Sequence, residues 1–180
     1  MATQDDGGTD LLERKFKKRF SQLDTDGDGF LEREDYMSQA QDFLQQYGES
    51  VDSAKGQMVV ETYERMWAGH AAAADIDTDG RVSFEEYMSY LMSSEFRDRI
   101  LASDDDSWFN VCDVDGDGFI TLAEFRMRPT IEDEDADQVF QSIDTDGDGL
   151  VSKDELRQAL RDFFTSSDSE APGNLFYGRY

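Results

Sequence analysis

Asp24-Thr-Asp-Gly-Asp-Gly-Phe-Leu-Glu-Arg-Glu-Asp35 decides the reading of this chain, because its acidic design returns three more times. The copies are Asp75-Ile-Asp-Thr-Asp-Gly-Arg-Val-Ser-Phe-Glu-Glu86, Asp113-Val-Asp-Gly-Asp-Gly-Phe-Ile-Thr-Leu-Ala-Glu124 and Asp144-Thr-Asp-Gly-Asp-Gly-Leu-Val-Ser-Lys-Asp-Glu155. Aspartates at positions 1, 3 and 5 alternate with other residues, glycine holds position 6, an aliphatic residue holds position 8, and an acid closes position 12. Self-similarity of this kind marks a repeat architecture, with first positions spaced unequally by 51, 38 and 31 residues.

Alternate carboxylates on a tightly turning loop converge on one point, which suits a hard cation that takes about six to eight oxygens, as calcium does. The side chains expected to converge are Asp24, Asp26 and Asp28 in loop 1, Asp75, Asp77 and Asp79 in loop 2, Asp113, Asp115 and Asp117 in loop 3, and Asp144, Asp146 and Asp148 in loop 4. Position 7 offers a backbone carbonyl, so its variety (Phe30, Arg81, Phe119, Leu150) does no harm. Position 9 (Glu32, Ser83, Thr121, Ser152) binds directly or holds a bridging water. At position 12, Glu86, Glu124 and Glu155 can each give two oxygens, whereas loop 1 has Asp35, one methylene shorter. Asp35 must draw its helix inward or give one oxygen. Loop 1 is therefore expected to be tighter and the most tolerant of magnesium, which prefers octahedral contacts at about 2.0–2.1 Å. Glu32 adds a fifth acid there. The expectation is up to four Ca2+ ions, with Mg2+ favoured at loop 1.

Apolar residues recur with helical period on both sides of each loop. Phe16, Phe20 and Leu23 precede loop 1, and Tyr36, Ala40, Phe43 and Leu44 follow it as far as Gly48. The second unit enters through a long segment from near Asp52 and leaves along Phe84, Tyr87, Met88 and Leu91. The third enters through Trp108, Phe109 and Cys112 and leaves along Leu122 and Phe125, with a stop expected near Pro129. Thr130 with Asp133 reads as the cap of the fourth entering helix, which carries Val139, Phe140 and Ile143; the exit runs through Leu156, Ala159, Leu160 and Phe163. The predicted fold is all-α: four helix-loop-helix units in two packed lobes forming a compact globule. A short β-ladder between paired loops sets Leu31 beside Val82 and Ile120 beside Val151. The expected boundaries are a flexible start over 1–10, a first pair over 11–94, a second over 95–165, and a tail over 166–180 that packs back on the lobes. Ser93 to Ser103 has no proline or glycine and reads as a packed connection.

Composition narrows the function. The 180 residues carry 42 Asp and Glu against 17 Lys and Arg, a net charge of −25, which disfavours nucleic acid and anionic membranes as partners. One cysteine, Cys112, and one histidine, His70, leave no internal disulfide and no Cys/His zinc cluster. Cys112 reads as a buried inert thiol and His70 as a surface or helix-packing residue. The acids Glu85-Glu86 belong to a metal loop and Asp104-Asp105-Asp106 to a helix N-terminus, so no catalytic constellation emerges and the chain is not read as an enzyme. Its opening lacks the basic and apolar regions of a secretory signal, and no stretch nears about 18 consecutive apolar residues. The expectation is a cytoplasmic monomer. Four divalent ions would move the net charge from −25 to about −17, so folding and binding are expected to be linked.

These residues together resemble the four-EF-hand sarcoplasmic calcium-binding proteins, in particular their actinobacterial, calerythrin-like branch. The likeness rests on Lys17-Lys-Arg-Phe20 leading into Asp24, on Leu31-Glu-Arg-Glu-Asp35, on the unequal spacing, and on Pro172-Gly-Asn-Leu-Phe-Tyr-Gly178. It implies a compact all-α globule, a folded-back tail, and a role in calcium buffering or transport. Loop 2 is often degenerate in that family but complete here, so four sites are expected. Coelenterazine-binding photoproteins share such a globule and use several cavity histidines, where this chain has His70 alone. Two functions remain open: a high-affinity intracellular buffer whose apolar surface stays buried, and a sensor that opens a Met-rich groove to a target. The seven methionines fit core filling or such a groove, and the apolar tail fits a plug for the lobes or a hook for a partner.

Overall fold

In the computed structural model, residues 6–127 and 133–180 are described. Helix α1 (Asp6–Leu23) enters loop 1, strand β1 (Phe30–Leu31) closes it, and α2 (Arg33–Tyr47) leaves it. The second unit is α3 (Ala54–Ala74), β2 (Val82–Ser83) and α4 (Phe84–Leu91), followed by a connecting helix α5 (Ser94–Ala102). The third is α6 (Ser107–Cys112), β3 (Ile120–Thr121) and α7 (Leu122–Arg126); the fourth is α8 (Asp133–Ile143), β4 (Leu150–Val151) and α9 (Lys153–Thr165). A single 3-10 turn, Pro172–Leu175, sits in the tail. Residues 6–10 of the start expected to be flexible are thus helical, while the expected stop at Pro129 and cap at Thr130 lie outside the described residues.

The loop sequence also starts the exiting helices. Ser83, Thr121 and Ser152 at position 9 are N-caps, and each forms a reciprocal capping box with the glutamate at position 12. Metal loop and helix start are therefore one device. Gly48, at φ 64°, ends α2, and its N–H donates to the Gln45 carbonyl at 3.1 Å. Ser53 then caps α3 by accepting from the Gly56 N–H at 2.9 Å. A Cβ at Gly56 would meet the Ser50 carbonyl oxygen at 2.1 Å, so this tight α2–α3 corner needs glycine there.

Paired loops are joined by the expected ladders, with Leu31 opposite Val82 and Ile120 opposite Val151, both antiparallel. One apolar core spans both pairs. Phe20 meets Phe84 and Tyr87 at centroid distances of 5.2 and 5.4 Å, and Phe96 of the connection meets Phe164 of α9 at 5.3 Å. Full burial of a ring such as Phe96 is worth about 1.5–3 kcal/mol.

The tail enters this core. Phe176 is fully buried, and Tyr177 packs edge-on against Phe163 at 4.8 Å. A Cβ on Gly173 would meet the Ala159 carbonyl oxygen at 2.1 Å, so the tail lies directly against the α9 backbone. Buried Lys15 of α1 donates to the carbonyls of Asp162 and Ser166 and to Asn174 Oδ1, at 3.1, 3.0 and 3.0 Å. Three acceptors let a buried ammonium be tolerated, and burial, partly offset by Asp162, pushes Lys15 down to about 8.

Candidate metal centres

Each loop brings three predicted ligands together. Carboxylate oxygens of Asp24, Asp26 and Asp35 lie within 4.8 Å of one another, as do those of Asp75, Asp77 and Glu86, of Asp113, Asp115 and Glu124, and of Asp144, Asp146 and Glu155. Oxygen-only clusters of this kind suit hard cations rather than zinc.

Backbone donors turn the carboxylates inward. At position 1, Oδ2 of Asp24, Asp75, Asp113 and Asp144 accepts from the position-6 glycine N–H at 3.0–3.1 Å. Those glycines hold φ of 90°, 89°, 91° and 85°, where a side chain would be strained. Position 5 stands outside the four trios. Asp28, Asp79, Asp117 and Asp148 each accept from the N–H of position 7, at 2.9, 2.8, 2.9 and 2.8 Å.

Position 12 bridges the two ends of its loop. Glu155 Oε1 accepts from the Thr145 N–H at 2.8 Å and Oε2 from the Ser152 N–H at 2.9 Å. Glu86 and Glu124 make the equivalent bonds. Asp35 reaches the same two positions, accepting from Thr25 N–H at 2.9 Å and Glu32 N–H at 2.8 Å. The shorter side chain spans them only if its backbone lies nearer the loop, and Asp35 is buried at 5% exposure. The donors also set the charge state. The Ser83 N–H and hydroxyl hold Glu86 below its ordinary 4.5. Burial pushes Glu124 and Glu155 up, but their combined donors leave both below 4.5 as well.

At position 9 the hydroxyls of Ser83, Thr121 and Ser152 donate to the position-12 carboxylates at 2.8 Å. That capping role occupies them and fits contact with an ion through water. At position 4, three loops have glycine with φ of 73–74°, whereas loop 2 holds Thr78 at φ 58°. A β-branched residue in this left-handed region is strained.

Sequence reading missed several participants. Arg81 at position 7 of loop 2 lies 3.4 Å from Asp79 and 3.8 Å from Glu32 of loop 1, with its guanidinium carbon 4.0 Å from the Phe30 ring centroid. It bridges acids of both loops in the first pair. The signal was a lone cation at a position where only the carbonyl was considered. Lys55 of α3 donates to the carbonyls of Asn110 and Asp113 at 2.6 and 2.7 Å, and Tyr47 of α2 donates to the Glu124 carbonyl at 3.1 Å. The first pair thus grips loop 3 at positions 1 and 12. His70 forms a hydrogen bond with the Tyr36 hydroxyl and packs edge-on against Tyr87, a helix-packing residue among the alternatives expected for it.

Comparison with known proteins gives a consistent picture. A family model described as an EF-hand domain pair matches residues 13–92 and 104–161. Calerythrin from Saccharopolyspora erythraea is 29% identical over 123 residues, covering 65% of this chain and 70% of that protein. A Streptomyces coelicolor calcium-binding protein, described in terms of prokaryotic calcium-mediated regulation, is 31% identical with a TM-score of 0.71, covering 86% of this chain and 98% of its own. The calcium-loaded coelenterazine-binding protein of Renilla muelleri is 26% identical with a TM-score of 0.76, covering 97% and 99%. An amphioxus sarcoplasmic calcium-binding protein, 22% identical, shares the fold at a TM-score of 0.68, covering 95% and 98%. The expected resemblance to calerythrin-like and sarcoplasmic calcium-binding proteins is borne out.

Proposed function

The chain belongs to the EF-hand domain pair family, and from that premise we propose that it is a high-affinity calcium buffer or transporter of the cytoplasm. Its calcium-binding, non-enzymatic character follows from the family. The buffer role is our reading. One observation carries it: the chain's own tail covers the apolar face of the second pair, with Phe176 fully buried, Tyr177 against Phe163 and Asn174 held by Lys15. Opening a groove there would have to break that clasp.

All four loops carry the ligand set proposed here: positions 1, 3, 5 and 12 through carboxylates, position 7 through its carbonyl, and position 9 through water or, at Glu32, directly. Magnesium is assigned to loop 1, where Asp35 supports a contracted site. The pairs 11–94 and 95–165 act as two lobes closed by the tail over 166–180. The charge of −25 supports a monomer without nucleic-acid or membrane partners, and no described helix is long and apolar enough to cross a membrane.

A sensor role is the second reading, favoured by the calcium-mediated regulation ascribed to the Streptomyces coelicolor relative. A groove between α1 and α4, floored by Phe84, Met88 and Met92, would then be the surface to watch. Fluorescence of an apolar dye separates the two, measured in chelator, in magnesium alone, and in calcium with magnesium. A buffer gives a signal that falls with either metal. A signal low in magnesium that rises with calcium would establish the sensor instead.

A further inference from the structure

A cavity of about 240 Å3 lies where the two pairs and the tail meet, walled by Phe96, Ile100 and Phe164. Arg19 of α1 also lines it and is 2% exposed. Its guanidinium carbon stacks 4.1 Å from the Tyr177 ring centroid. Stacking satisfies the face of a guanidinium, not the N–H groups in its plane, and Arg19 Nη1 finds no hydrogen-bond partner among the described residues. A chain of net charge −25 thus leaves a buried cation without a carboxylate within ion-pair distance among the described residues. Buried charges are costly unless they are paired, so this arrangement calls for an anion.

The rest of the lining agrees. Arg99 stands exposed at the rim, while the Asp105 carboxylate is engaged by the N–H and hydroxyl of Ser107 at 2.8 and 2.5 Å. Burial, with a smaller contribution from the positive field of Arg19 and Arg99, pushes His70, another lining residue, down to about 3. With the imidazole neutral, the lining carries Arg19 and Arg99 against the one carboxylate of Asp105, so the site stays net positive. We propose that this cavity binds a small apolar carboxylic acid, with its carboxylate paired to Arg19 and its hydrocarbon body against Phe96, Ile100 and Phe164. The volume falls just below that of ordinary ligand pockets, about 300–1,000 Å3, so the acid is of one or two rings or of comparable chain length.

Naphthoate and its neutral amide are suitable probes, titrated by calorimetry into the full, calcium-loaded chain while Trp108, in the cavity wall, reports by fluorescence. The expected result is that naphthoate binds at least tenfold more tightly than naphthamide, and that Arg19→Gln removes this preference. Met66→Trp, which fills the cavity and leaves Arg19 in place, should abolish binding of both; it keeps the test decisive if Arg19→Gln does not fold. Equal binding of acid and amide, binding unchanged in Met66→Trp, or no heat at millimolar naphthoate would each overturn the proposal.

Discussion

Loops 1 and 4 start with the same six residues and end differently, and the way each accommodates its ending shows where the specificity of these sites is built. In both, the threonine at position 2 donates through N–H and hydroxyl to the position-12 carboxylate: at 2.9 and 2.8 Å to Asp35, and at 2.8 and 3.0 Å to Glu155. The donors stay fixed and the backbone behind the acid adjusts. In loop 1 Asp35 is buried, whereas in loop 4 Glu155 is half-buried on a helix anchored through buried Leu156 and Ala159. A side chain one methylene shorter thus keeps the same two backbone donors in loop 1 that the longer one keeps in loop 4.

If that is right, the two endings are not interchangeable. Glu155→Asp should weaken calcium at loop 4 by about 10–100-fold, because α9 cannot follow the shortened arm; calorimetry on the variant checks this, and near-normal affinity would mean the helix is free to move. The reverse change, Asp35→Glu, forces a methylene into a buried position and should cost the metal-free protein about 1–2 kcal/mol in urea unfolding. Loop 2 extends the comparison through its backbone. Thr78→Gly, which gives it the glycine the other three loops have at position 4, should relieve the strained φ and stabilise the metal-free state by about 1 kcal/mol, read as a higher melting temperature. Loop 3 differs in having a cation of the other pair on its first residue. Lys55→Met should raise calcium affinity there about two- to fivefold, an effect that shrinks with added salt.

The smallest effect concerns pH. Glu86, Glu124 and Glu155 titrate below 4.5 when folded, so the unfolded chain binds protons first. Their contribution is complete above about 4.5 and is lost as pH falls through the lower folded values. Acid unfolding of the metal-free protein should therefore steepen below about pH 4.5, and replacing the three glutamates by glutamine should flatten that limb.

Most of the loop geometry was legible in the sequence because the information is local. Positions 1 to 12 carry ligand, turn and helix cap within one short segment, so Asp144 to Glu155 specify their own geometry. The ladder residues Leu31 and Val82 were equally readable, since position 8 recurs with the loop. What stayed hidden depends on residues far apart in the chain. Lys15 reads as one more cation in a basic run, yet it is buried against Asp162, Ser166 and Asn174. Arg81 and Lys55 likewise gain their meaning from acids and carbonyls of another loop. Arg19 gains its meaning only from a cavity formed when both pairs and the tail close.

We propose that all four loops bind calcium and that loop 1 is the most tolerant of magnesium. The amide resonances of Gly29, Gly80, Gly118 and Gly149 report on it directly, since each N–H donates to the first carboxylate of its own loop. Two-dimensional NMR with added magnesium and then calcium should shift Gly29 with magnesium, and the other three only when calcium is added. Fewer than four glycines responding to calcium, or Gly149 responding to magnesium as Gly29 does, would contradict it.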